Sequence, residues 1–105
     1  MLDQIIMIEN TNDKNLSIDP IAKIILAYLN TEESDRSYSP QQLAQVVADE
    51  RRRPKDPPDL WRRYLPSVKQ QALFLSRTGK LIIMRKGKPV DSRTAKGVIR
   101  YKKTD

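Results

Sequence analysis

Apolar positions in this chain keep a helical period through three segments and then switch to a strand period. In the first segment Ile21, Ile24, Ile25, Tyr28 and Leu29 recur at i, i+3, i+4, i+7 and i+8, which is one stripe of a helix. Asp19 ahead of Pro20 supplies an N-cap, and proline suits the first helical position, where its missing N–H is not needed. A helix is therefore predicted from Asp19-Pro20 to near Asn30. A second helix opens at Ser39-Pro40, with Gln42 placed for a capping box and Leu43, Val46 and Val47 as its apolar face. Its predicted length is about two and a half turns. The third helical region, near residues 59–78, puts Trp61, Leu65, Val68, Ala72 and Leu75 on one face at about 100° per residue. Pro66 predicts a kink or two abutting helices. Gly79 suits the position just past the helix end, and Arg77 favours the last turn.

After Gly79 the period changes. Leu81-Ile82-Ile83-Met84 is a compact, β-branched apolar run that predicts a strand. Lys86-Gly87-Lys88-Pro89 reads as a turn, residues 90–96 as a polar connection, and Gly97-Val98-Ile99-Arg100-Tyr101 as the returning strand. Arg36-Ser37-Tyr38 predicts a brief extra strand. The order helix, short strand, helix, helix, strand, basic loop, strand predicts an α+β fold of the winged helix-turn-helix type, with three helices, a small antiparallel sheet and a basic wing hairpin. At 105 residues this is one domain with a modest core, expected over residues 18–105. Residues 1–17, with an apolar patch from Ile5 to Ile8 and a polar tract, are expected to be a tail, the alternative being a strand added to the sheet edge.

Charge sharpens the picture. Residues 1–50 carry three Lys/Arg against nine Asp/Glu, whereas residues 51–105 carry seventeen against four. Residues 80–103 hold nine basic residues and a single acid, Asp91. A cationic hairpin appended to helices suits a phosphate backbone, because each neutralised phosphate releases condensed counterions.

Absent residue types narrow the chemistry. With no cysteine and no histidine, the chain has no disulfide, no Cys nucleophile, no Cys/His zinc site and no imidazole for proton transfer. Ser67 near Lys69, and Ser92 or Asp91 near Lys96, read as surface neighbours rather than catalytic pairs. The three glycines lack phosphate-loop spacing. Glu32-Glu33-Ser34-Asp35 lacks an ordered ligand pattern and reads as a solvated loop. Neither an enzyme nor a bound metal or cofactor is expected. The mean hydropathy is −0.66, and no apolar run reaches the length of a membrane span. The N-terminal patch is too short for a signal peptide, so a cytoplasmic protein is expected.

The spacing Ser39-Pro40, Trp61-Arg62, Pro66, Val68, Ala72, Leu75, Gly79, Lys86-Gly87, Val90-Asp91 and Gly97-Val98-Ile99-Arg100 resembles a family of short bacterial proteins of unknown function. That resemblance covers about residues 20–101 and implies a small winged-helix domain, with no activity attached. The chain departs from the family pattern in a longer, more basic loop at residues 51–58. The gap between the second and third helices also exceeds the roughly three or four residues of a helix-turn-helix.

Duplex DNA binding is the leading expectation. The third helix would lie in or beside the major groove, with Lys69, Gln70 and Arg77 on its outer face, while Arg85, Lys86, Lys88, Arg93 and Lys96 contact phosphates from the wing. RNA is less favoured at 6% aromatic residues. Trp61 is expected to anchor the core rather than stack on bases. The loop at residues 50–58 reads equally as a basic arm or an exposed linker. Leu73 and Phe74 project to the same outer side as Gln70, which suits a protein contact. The alternative is therefore a protein-interaction or homodimerisation module acting through Leu73 and Phe74.

Overall fold

Ser39 closes a full capping box. Its hydroxyl accepts from the Gln42 N–H at 3.1 Å, and the Gln42 side chain accepts from the Ser39 N–H at 2.8 Å. These bonds satisfy two orphan donors of a helix start and fix where α2 begins. The structure, a computed structural model, describes residues 19–31 and 36–104. In chain order its elements are α1 (Pro20–Thr31), α2 (Pro40–Arg51), α3 (Trp61–Arg77), β1 (Leu81–Arg85), β2 (Lys88–Val90), a 3-10 turn at Ser92–Thr94, and β3 (Arg100–Lys103). The fold is α+β, three helices beside one small antiparallel sheet, and is compatible with a winged helix. The predicted tail or edge strand at residues 1–17 and the acidic loop at 32–35 lie outside the described residues.

α1 starts as its sequence demands, with Asp19 Oδ1 accepting from the Ile21 N–H at 2.8 Å. Its buried side is Ala22, Ile25 and Leu29, while Ile21, Ile24 and Tyr28 are half-buried. α2 is longer than predicted, running a turn further to Arg51. It buries Leu43, Ala44, Val47 and Ala48, leaving Val46 half-buried. The two alanines let the neighbouring backbones approach closely, which a count of large apolar residues misses.

α3 runs from Trp61 to Arg77 as one helix with Pro66 inside it, so of the two predicted outcomes the pair of abutting helices is not found. Proline there removes one backbone donor, and the Arg62 carbonyl loses its helical partner. Pro66 and Arg62 both lie on the exposed side of the helix. Val68, Ala72 and Leu75 carry the buried stripe. Trp61 is half-buried at the core's edge with Arg62 stacked on it, 5.0 Å from the guanidinium carbon to the ring centre. The preceding Leu60 is the residue that is fully buried. Trp61 thus packs against the core, as expected, but from its edge.

Gly79 closes α3 in a left-handed conformation at φ +77°. The Gly79 N–H donates to the Ser76 carbonyl at 3.1 Å, and the Lys80 N–H donates to the Leu75 carbonyl at 2.8 Å, the two bonds of a Schellman end.

The sheet order is β2-β1-β3, so β1 is central. The predicted four-residue turn shrinks to Lys86-Gly87, because Arg85 pairs with Lys88. Both turn residues have positive φ, 53° and 78°, the conformation whose twist matches a two-residue hairpin. Pro89 sits in β2 at the sheet edge, where its missing donor breaks no internal ladder. The return pairing with β1 starts only at Arg100, with Ile83 opposite Tyr101 on the buried face. Residues 97–99, predicted as strand, precede it. Tyr38 forms an isolated antiparallel bridge to Tyr101, with backbone bonds of 2.7 and 2.8 Å. The predicted brief strand is thereby reduced to one bridge. Tyr38 also meets Tyr28 edge-on at 5.2 Å between ring centres.

Candidate nucleic-acid interface

α3 buries one stripe, so its opposite side is open, and Lys69, Gln70 and Arg77 are all exposed there. Packing of the chain after β2 then decides what surrounds them. Lys69 and Leu73 share a cleft of about 360 Å³ with Ser39 and Pro40 at the start of α2 and with residues 95, 97–101. Arg77 lines a shallower depression with Val90, Asp91, Ser92 and Arg93. The segment between β2 and β3 therefore lies along α3, from Arg77 back to Lys69. Leu73 lines this cleft half-buried, Phe74 is left open on α3 at 50% exposure, and Val98 in the cleft wall is exposed too.

The wing cations occupy two settings. Arg85 ends β1, and its guanidinium lies 3.7 Å from where a Cβ on Gly97 would stand. Gly97 has φ +79°, so the backbone turns tightly beneath that side chain. Lys86 and Lys88 sit at the hairpin turn, and Lys96 lies in the loop, all exposed. Among the described residues the side chains of Lys69, Arg77, Arg85, Lys86, Lys88 and Lys96 make no hydrogen bond or salt bridge, although the charge of Arg77 is near enough to help lower the Asp91 carboxyl.

Arg93 is different. Asp91 Oδ1 accepts from the Arg93 N–H at 2.8 Å, capping the 3-10 turn, and meets Arg93 Nε at 3.2 Å. The Arg93 backbone bond chiefly holds the Asp91 carboxyl below its ordinary range, followed by the Arg93 side-chain bond. The Arg93 guanidinium is held above its usual value by the same bond. The single acid of the wing thus matches one of its cations.

A second basic group builds on the loop at residues 50–58, which the sequence reads equally as a basic arm or an exposed linker. Arg51, Arg53 and Arg63 line a pocket of about 410 Å³ with Asp56, Leu60 and Tyr64. The run Arg51-Arg52-Arg53 signals charge, but only the fold adds Arg63 from α3. The loop itself is built rather than loose. Arg53 N–H donates to Asp56 Oδ2 at 2.8 Å, Asp56 N–H returns to the Arg53 carbonyl at 3.0 Å, and Arg52 Nη1 donates to the Pro57 carbonyl at 2.7 Å.

Among the described residues no group of acids could hold a metal ion, and no helix is long and apolar enough to cross a membrane. A family model described as "Protein of unknown function (DUF3253)" matches residues 18–104. The chain belongs to this family. The DUF3253 match starts just before α1 and ends just after β3, so it takes in every described element of the fold. No curated protein matches the chain.

Proposed function

We propose that this DUF3253 chain is a non-enzymatic winged-helix DNA-binding protein, a transcriptional regulator in role, that holds duplex DNA through α3 and the wing. The observation that carries the reading is the set of unpaired cations Lys69, Arg77, Arg85, Lys86, Lys88 and Lys96 on α3 and the segment that follows it. Exposed Lys and Arg without internal partners are free to replace counterions on phosphates. Gln70, on the open side of α3, suits an adenine edge. Arg93 contributes less, because Asp91 already holds it.

The test is fluorescence anisotropy of labelled random duplex DNA at about 50 and 200 mM salt. Six phosphate contacts predict a log–log salt slope of about −5. Absence of binding at the lower salt overturns the reading.

Exposed Phe74 favours a second reading, a protein-interaction or homodimerisation module with Phe74 at its centre and Leu73 beside it. Light scattering after size exclusion decides it. A dimer that Phe74→Ser converts to a folded monomer supports it, and a wild-type monomer removes the homodimer form.

A further inference from the structure

Five arginines cluster where α2 hands over to α3, and the structure divides them into two groups. Arg52 pairs with Asp49 at 3.6 Å and donates to the Pro57 carbonyl. Arg62 pairs with Asp59 at 3.6 Å and covers Trp61. Both serve the loop. Arg51, Arg53 and Arg63 make no side-chain ion pair or hydrogen bond among the described residues, and these three line the pocket of about 410 Å³. Arg51 is steadied by the Tyr64 ring, 5.9 Å from its guanidinium carbon. The acid in the lining is Asp56, and its Oδ2 is engaged by the Arg53 amide. Positive charge therefore exceeds negative in a concave site, a composition that suits an oxyanion, because guanidinium forks match phosphate oxygens two at a time.

Position extends the argument. Arg63, Gln70 and Arg77 are spaced by seven residues, so they lie along one exposed strip of α3. Arg63 and Arg77 are about 21 Å apart along the axis at 1.5 Å per residue. That is the rise of about six nucleotides of one strand. The long α2–α3 loop thus carries cations to the end of the strip opposite the wing.

We propose that Arg51, Arg53 and Arg63 form a binding site for one phosphate group, supplied by the nucleic-acid backbone. The source of the phosphate rests on the nucleic-acid reading, whereas the site itself rests on the pocket.

The experiment has two arms, each run on the full chain and on Arg53→Gln/Arg63→Gln. In the first, inorganic phosphate is titrated while amide NMR reads Arg53 and Asp56. In the second, duplex DNA anisotropy is followed against salt. Saturable amide shifts that vanish in the variant, with a salt slope shallower by about one, as the loss of one phosphate contact requires, support the proposal. No saturable shift and an unchanged slope overturn it, even if the wild type binds DNA. Phosphate shifts in a wild type that binds no DNA overturn the backbone as the source and leave a free phosphate compound as the ligand. Arg53→Lys/Arg63→Lys, which keeps the charge, guards against misfolding and should retain most of the slope.

Discussion

The Arg100 guanidinium grips Ser37 across 63 positions of sequence, donating from Nε to the hydroxyl and from Nη2 to the carbonyl, each at 2.8 Å. Nη2 also reaches 3.5 Å to Gln42 Oε1, the oxygen that completes the α2 capping box. One side chain therefore ties β3, the Tyr38 bridge and the start of α2 together. Arg100→Gln should lower stability by roughly 1–3 kcal/mol, the worth of charge-assisted bonds at a surface. Arg100→Lys should fall between, since it keeps charge and loses the fork. Urea denaturation measures both, and an unchanged midpoint for Arg100→Gln refutes the clamp.

Within the wing, the two kinds of cation should separate on DNA. Lys86→Gln/Lys88→Gln removes two unpaired charges and should make the salt slope shallower by about two. Arg93→Gln removes a charge already matched by Asp91, so its effect should be well below one unit. Equal effects per charge would show that the Asp91 bond opens in the complex. An unchanged slope for the lysine pair would remove the hairpin from the interface.

Core depth orders a second series. Leu75 is fully buried, and Leu75→Ala should cost about 2–5 kcal/mol. Trp61 is half-buried and roofed by Arg62. Trp61→Ala should therefore fall below the roughly 3–5 kcal/mol of a fully buried tryptophan. Thermal or urea unfolding gives the order, and a Trp61 loss exceeding that of Leu75 would overturn it.

Helix existence, both proline-led starts and the glycine end of α3 were legible because each rests on chemistry within a few residues. Ser39, Gln42, Asp19 and Gly79 act on their own neighbours, so spacing suffices. Pro66 left two outcomes open in the sequence, because whether a proline ends a helix depends on what its freed carbonyl meets, which tertiary placement decides. The hairpin was misjudged for a related reason. Lys86 enters positive φ at some cost, and the pairing of Arg85 with Lys88 offsets it. The candidate interface was legible as charge but not as geometry. The Asp91–Arg93 bond spans two residues and was within reach of spacing, like the Asp19 cap, whereas nothing local shows that Arg63 joins Arg51 and Arg53. Several residues that carried the family resemblance hold structural posts: Ser39 caps, Lys86-Gly87 turns, Asp91 caps the 3-10 turn and Arg100 clamps.

Tyr101 gives the fold an alkaline limit. Its ring is buried opposite Ile83, and burial pushes the hydroxyl up to about 12 from an ordinary value near 10. The folded state thus resists forming phenolate, while the unfolded chain forms it freely. Stability tied to this group is complete below about pH 10 and falls as pH rises from 10 through 12, by up to roughly 3 kcal/mol. Tyr101→Phe keeps the ring and has no proton to lose, so that part of the alkaline decline should vanish. Denaturant unfolding of both proteins at pH 8, 10 and 11 measures it, using roughly the range between the two pKa values. The difference between the two curves carries the test. Parallel curves would mean that Tyr101 ionises as easily folded as unfolded, and would place its hydroxyl in contact with water.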